Sequence, residues 1–287
     1  MKPLICVDEL AGLIAGSNVL VVDCRKELSS PDSGHLAWTA GHIPGAIYAD
    51  LDRELSDLSK RGLGRHPLPD ETAFSAVLSR WGWTPDRSVV AYDDAGGALA
   101  AARLWWMMRL VGASQVRVLD GGWSAWNSSG ARIETSQQVP AGAEISVRYD
   151  PTQLVDYDAL QAGLDTQSIL LIDARGGPRF RGEVEPLDRI AGHIPGARNR
   201  PFSDNLAGDG RFKSTEQLAA EFKTLLGARV PESVVHMCGS GVTACHNLLA
   251  MEQAGLHGSR LFAPSWSGWI SDPSRAIGVG AEPRAAL

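Results

Sequence analysis

The heptapeptide AGHIPGA occupies Ala40–Ala46 and returns, letter for letter, at Ala191–Ala197. Its surroundings repeat in the same order. LVVDCR (Leu20–Arg25) answers LLIDAR (Leu170–Arg175), VVAYD (Val89–Asp93) answers VVHMC (Val234–Cys238), and WSAW (Trp123–Trp126) answers WSGW (Trp266–Trp269). Self-similarity on this scale marks duplication of a whole domain, and 287 residues suit two domains of roughly 100–200 residues each. The spacing between paired elements narrows slowly along the chain, as expected of two copies that have lost or gained short loops.

Within each copy, short runs rich in Val, Ile and Leu alternate with longer amphipathic stretches, the pattern of parallel strands joined by crossover helices. The expected fold class is therefore α/β, each copy a mostly parallel sheet flanked by helices and buried on both faces. The periodicity predicts helices over Glu71–Trp81, Gly97–Leu110, Ser214–Leu226 and Val242–Ala254, with Asp70 and Ser214 suited to cap two of them. The segment Ile133–Thr152 is polar, carries Pro140, Gly142 and Pro151, and has no clear period. It reads as the connection, which divides the chain into residues 1–132, a linker 133–152, and residues 153–287.

With 44% hydrophobic and 21% charged residues the chain can fill two cores. The net charge of −6 and the scatter of the basic residues argue against a nucleic-acid partner. The longest apolar stretch, Ala98–Ala113, is broken by Arg103 and Arg109 and is shorter than the roughly 20 residues of a membrane span, so it reads as a buried helix. No membrane association is expected, and acidic residues in MKPLICVDEL argue against an export signal, which leaves the cytoplasm as the expected location. Cys6, Cys24, Cys238 and Cys245 form no CxxC pair and suggest reduced thiols. No metal, nucleotide or flavin motif is present, so no cofactor is expected.

Chemistry concentrates at Cys238. A strand-like VVHM precedes it, the loop Gly239-Ser240-Gly241-Val242-Thr243 follows, and a helical pattern begins after that. Two glycines permit a tight curl whose N–H groups face inward, and the following helix N-terminus adds partial positive charge. Both effects favour a thiolate or an anionic persulfide. In the first copy Asp93 holds the corresponding place, so only one copy has the nucleophile. The alternative, that Cys238 is simply a buried small hydrophobe, is opposed by its Gly-Ser-Gly context. Cys6, Cys24 and Cys245 lack such a loop and read as structural or core residues. A cysteine-dependent phosphatase needs a phosphate-clamping arginine six residues after the cysteine, and position 244 is alanine.

The repeated GHIPGA, DGGW in the first copy and CGSGVTA in the second resemble the tandem-domain rhodanese family over nearly the whole chain. The loop is most similar to that of the 3-mercaptopyruvate sulfurtransferases, since thiosulfate-using members typically carry CRKGVT there. That difference suits mercaptopyruvate, whose single carboxylate lies away from the attacked sulfur, whereas thiosulfate brings two charges close to it. The resemblance implies two rhodanese-like domains in tandem and ping-pong transfer through a Cys238 persulfide. The partners are then a small sulfur donor and a thiol acceptor such as thioredoxin or a small thiol, or cyanide. It further implies a relay of Ser240, His66 and Asp52 at the domain interface, and a donor site lined by Gly239, Gly241, Val242 and Thr243. By spacing alone His66 reads as a loop residue and Asp52 as a helix cap.

Arg179 aligns with the family arginine that holds the donor carboxylate, and Arg189 is the candidate for the second. Arg181 is expected to pair with Glu183 or Glu185 instead. His42 and His193, one in each GHIPGA, suggest a shared structural task. Two rival functions remain: the same fold using thiosulfate as donor, and a carrier that holds a persulfide without turnover.

Overall fold

In a computed structural model the described residues are 1–281 except 17, 28, 29, 31 and 139. They form two compact units. The first comprises Met1–Asp57, Leu68–Asp150 and Leu206–Phe212, and the second Leu58–Pro67, Pro151–Asn205 and Lys213–Leu287.

In chain order the first unit has β1 (Leu4–Ile5), α1 (Val7–Ala15), β2 (Val19–Asp23), α2 (Ser33–Ala40), β3 (Ile47–Tyr48), α3 (Glu71–Arg80), β4 (Ser88–Tyr92), α4 (Ala101–Leu110), β5 (Val116–Leu119) and α5 (Gly122–Ser128). Its five strands are all parallel, in the order β1-β5-β4-β2-β3. The second unit has α6 (Tyr157–Asp165), β6 (Leu170–Asp173), α7 (Gly177–Phe180), β7 (Arg198–Asn199), α8 (Thr215–Leu226), β8 (Val234–Met237), α9 (Ala244–Gln253), β9 (Arg260–Leu261) and α10 (Ser265–Trp269). Its sheet is parallel too, ordered β7-β6-β8-β9.

The expected α/β class follows from burial. Every residue of β2, β6 and β8 is buried, which is why these strands read as unbroken apolar runs rather than alternating ones. Helix α4 is buried at every position except Arg109. The predicted helices appear at α3, α4, α8 and α9, with ends shifted by up to a turn. Asp70 caps α3 through Ala73 N–H, and Ser214 forms a capping box with Gln217 on α8.

The division of the chain departs from the sequence expectation in two ways. Residues 133–150 belong to the first unit rather than to a free connection. Glu134 pairs with His42, while Val147 N–H donates to Ser75 Oγ (3.0 Å) and Tyr149 N–H to Glu71 (2.8 Å). These contacts are made to side chains and single bridges, which leave no periodic signal in the sequence. Two short segments also join the unit of the other copy. Leu58–Pro67 completes the second unit, where Tyr157 Oη donates to the Gly62 carbonyl (2.6 Å) and Arg65 N–H to Ser267 Oγ (3.0 Å). Leu206–Phe212 completes the first, with Phe212 N–H donating to Asp120 (2.8 Å).

Each repeat of the D-x-R element builds the same buried ion pair. Arg25 donates to Asp23 and to the Gly41 carbonyl; Arg175 donates to Asp173 and to the Gly192 carbonyl. Each guanidinium also lies over a tryptophan, Trp123 at 4.3 Å and Trp266 at 4.8 Å. The two arginines thereby tie the end of the central strand to the GHIPGA turn. His42 and His193 are buried beside those turns, where Nδ1–H donates to the Trp38 and Phe180 carbonyls respectively (2.8 Å each), in keeping with a structural task.

On β8, His236 is fully buried with Nε2 against Met251 Sδ (3.1 Å), and burial pushes its pKa from the ordinary 6.5 down to about 3. The unfolded chain binds a proton here below pH 6.5 that the folded chain refuses until about pH 3. Stability therefore falls as pH drops through this window, by at most about 1.4 kcal/mol per pH unit from this group. Urea unfolding of the wild type and His236→Leu between pH 7 and pH 4 measures it: the variant is expected to have the shallower pH dependence.

Candidate active site

In the second sheet, β6 leads to β7 on one side, and the chain then crosses to β8 on the other. The switch point thus falls between the carboxyl ends of β6 and β8, the usual place for a ligand in such a sheet. Register pairs Asp173 with Met237, so Cys238 emerges at that end beside the Asp173–Arg175 pair.

Cys238 is 2% exposed, but its sulfur is not packed as a hydrophobe, because Gly241 N–H donates to Sγ at 3.1 Å. The curl requires glycine at 241: φ is +79°, and a Cβ would lie 2.4 Å from the Ala263 carbonyl oxygen. The start of α10 clamps the loop from behind. Ser265 Oγ accepts from Cys238 N–H (3.1 Å), Trp266 N–H donates to the Cys238 carbonyl (3.0 Å), and Ser267 N–H to the Gly239 carbonyl (2.9 Å). Cys245, fully buried as the second residue of α9, donates to the Gly241 carbonyl and is a core residue as expected. Cys24 is buried, whereas Cys6 is exposed at the cap of α1, where Glu9 reaches back to its amide.

The first unit repeats the geometry with an anion built in. Asp93, fully buried, accepts N–H bonds from Ala95, Gly97, Leu99 and Ala101 at 2.8–3.2 Å, and Trp123 N–H donates to its carbonyl. The loop after the strand thus turns four amides onto a carboxyl group in the first copy and one, that of Gly241, onto the thiol in the second.

Of the expected relay, the structure brings Ser240 and His66 together, with Oγ and Nδ1 2.8 Å apart. Both belong to the second unit, because His66 lies on the transferred segment Leu58–Pro67. Asp52 lies in the first unit, where it accepts from Lys26 Nζ at 2.5 Å.

Arg179 stands beside the loop: a Cβ on Gly239 would lie 3.5 Å from its Nη2. It donates through Nε and Nη2 to Glu185 and through Nη2 to Asp188 (3.1 Å). Burial works against the charge of Glu185, yet Arg179 and the Leu187 and Asp188 amides hold it below the usual carboxylate range. Arg189 does not join Arg179; its guanidinium is hydrogen-bonded to the Ile270 carbonyl while its neighbour Asp188 turns inward. Arg181 pairs with Glu183, as its spacing suggested.

The family profile for the rhodanese-like domain matches residues 7–129 and again 156–272. The chain belongs to the rhodanese family. Its rhodanese-like domains are similar over 96% of the chain to a Pseudomonas aeruginosa protein named "Probable 3-mercaptopyruvate sulfurtransferase", at 45% identity and covering 98% of that protein. At 43% identity they match a Mycobacterium tuberculosis protein named "Putative thiosulfate sulfurtransferase SseB", covering 96% of this chain and 97% of that one. Among solved structures, 3-mercaptopyruvate sulfurtransferase from Leishmania major superposes with a TM-score of 0.82 at 33% identity, covering 93% of this chain and 73% of that one.

Ser265 escaped sequence analysis. It holds φ +55°, a left-handed conformation that costs a non-glycine residue roughly 1–2 kcal/mol, where the first rhodanese-like domain has Gly122 at φ +53°. A serine standing where the repeat has glycine was the available signal. Ser265→Ala keeps the strain and orphans the buried Cys238 N–H, so it is expected to cost about 1–3 kcal/mol. Ser265→Gly orphans the same amide but relieves the strain and is expected to lose about 1 kcal/mol less. Denaturant unfolding compares them, and equal losses would remove strain from the account.

Proposed function

We propose that this chain is a sulfurtransferase that carries sulfur from 3-mercaptopyruvate, through a persulfide on Cys238, to a thiol. The observation that carries this reading is the Gly241 amide directed at Cys238 Sγ, with Ser240 of the same loop meeting His66 Nδ1 at 2.8 Å. The thiolate attacks the donor sulfur, so that an S–S bond forms as the C–S bond breaks and the electron pair leaves on the enolate of pyruvate. The enolate then takes a proton, which the Ser240–His66 pair is placed to deliver. An acceptor thiolate attacks the outer sulfur and regenerates Cys238. Thioredoxin or a small thiol fits the acceptor role.

The donor assignment rests on the loop. Gly239 places no cation beside the nucleophile, whereas Ser240 and His66 supply the proton relay that an enolate leaving group needs and thiosulfate does not. The relatives carry names for both donors, so the preference is a matter for measurement.

Steady-state release of pyruvate from mercaptopyruvate, and of sulfite from thiosulfate, with the same small thiol as acceptor tests the reading. The expected kcat/KM is higher for mercaptopyruvate than for thiosulfate, and the reverse order would transfer the chain to the thiosulfate-using class. Cys238→Ser is expected to abolish turnover, and Cys245→Ser to retain most of it. Ser240→Ala is expected to lower mercaptopyruvate kcat by about 10²–10⁴; full activity would remove the relay. Asp52→Asn decides its own part. Lower kcat at unchanged Tm keeps it in the relay, and unchanged kcat leaves it to Lys26.

A further inference from the structure

The guanidinium nearest the nucleophile loop is one that no motif singled out. A Cβ on Gly239 would lie 3.0 Å from Arg65 Nη2, closer than either nitrogen of Arg179, at 3.5 and 3.6 Å. Arg65 reaches this position because Leu58–Pro67 folds onto the second unit, fixed by Arg65 N–H to Ser267 Oγ and by His66 to Ser240. Asp188, buried between the two arginines, accepts from Arg65 Nη1 and from Arg179 Nη2. It aligns the two forks. Arg65 Nη2 and Arg179 Nη1 are the atoms left facing the loop, and among the described residues neither donates to a protein acceptor.

Two guanidinium donors converging one residue from the sulfur form a grip for a planar anionic group. The charge of Arg65 and Arg179 is balanced by Asp188 and Glu185, so what the pair offers an anion is directed hydrogen bonds rather than net charge. We propose that Arg65 binds the anionic end of the sulfur donor together with Arg179, and so takes the place expected of Arg189. This assignment rests on the sulfurtransferase reading and names the group through which that site recognises its donor. It also accounts for Gly239: a side chain there would meet both guanidiniums, and a basic one would be repelled by them.

The two half-reactions separate this role from a structural one. The burst of pyruvate on mixing enzyme with mercaptopyruvate, without acceptor, reports donor binding and sulfur abstraction. Discharge of preloaded persulfide by dithiothreitol, a neutral thiol, reports the second half. Arg65→Ala is expected to raise the donor concentration for a half-maximal burst about tenfold to a hundredfold, the range for losing a hydrogen bond to a charged group. It is expected to leave the discharge rate and Tm as in the wild type. Arg65→Lys is expected to recover only part of the loss, because an ammonium lacks the fork. Persulfide loading from thiosulfate, followed in parallel, tells whether the grip serves a carboxylate alone or any anionic donor tail. An unchanged half-saturation, or equal slowing of both half-reactions with a lower Tm, overturns the assignment. A wild-type enzyme that loads sulfur from neither donor overturns the sulfurtransferase reading itself, a result distinct from an active wild type indifferent to Arg65.

Discussion

The chemistry of this protein depends on one short hydrogen-bonded turn. Between Cys238 and Gly241 the backbone reverses tightly enough for an amide to reach back to the sulfur at 3.1 Å, and only glycine tolerates the conformation and the Ala263 carbonyl behind it. A sulfur held this way is buried and faces a fixed N–H dipole of its own loop. The Ser265 hydroxyl, which accepts from the Cys238 amide, and the Trp266 and Ser267 amides, which donate to the Cys238 and Gly239 carbonyls, keep the turn from relaxing. The strain held at Ser265 is local evidence that the surrounding packing determines the loop.

Duplication makes the reading stronger, because the two loops can be compared within one chain. In the first copy four amides bond the Asp93 carboxyl and oppose the burial that raises its pKa. The second copy offers the same place to Cys238. Asp93 and Cys238 differ within a shared scaffold, since the Asp23–Arg25 and Asp173–Arg175 pairs, the GHIPGA turns and the tryptophan helices are common to both copies.

Much of this was legible in the sequence, for definite reasons. Short apolar runs such as Leu170–Ile172 read as interior strands, Asp70 and Ser214 announce helix starts, and the repeat announces two units. Cys238, Ser240 and Arg179 were legible because loop chemistry and family resemblance coincide there. What stayed hidden was non-local. No periodicity reveals that Leu58–Pro67 folds with the other copy, so Arg65 looked like a neighbour of His66 rather than of Gly239. Arg189 looked suitable by spacing, but Asp188 takes the inward position, and the Arg189 guanidinium meets the Ile270 carbonyl. The expected linker over 133–152 shows no period because residues 133–150 meet α3 through scattered bonds, Ala143 N–H to the Ser79 carbonyl and the Val147 and Tyr149 amides to the Ser75 and Glu71 side chains.

The central claim is that one sulfur atom in this chain accepts another. Peptide mass spectrometry after brief exposure to 3-mercaptopyruvate, with free thiols alkylated, tests it directly. The account predicts an added mass of about 32 Da, one sulfur atom, on the peptide holding Cys238 and on no other cysteine peptide. An unmodified Cys238, or the added sulfur found on Cys6, Cys24 or Cys245, would contradict it.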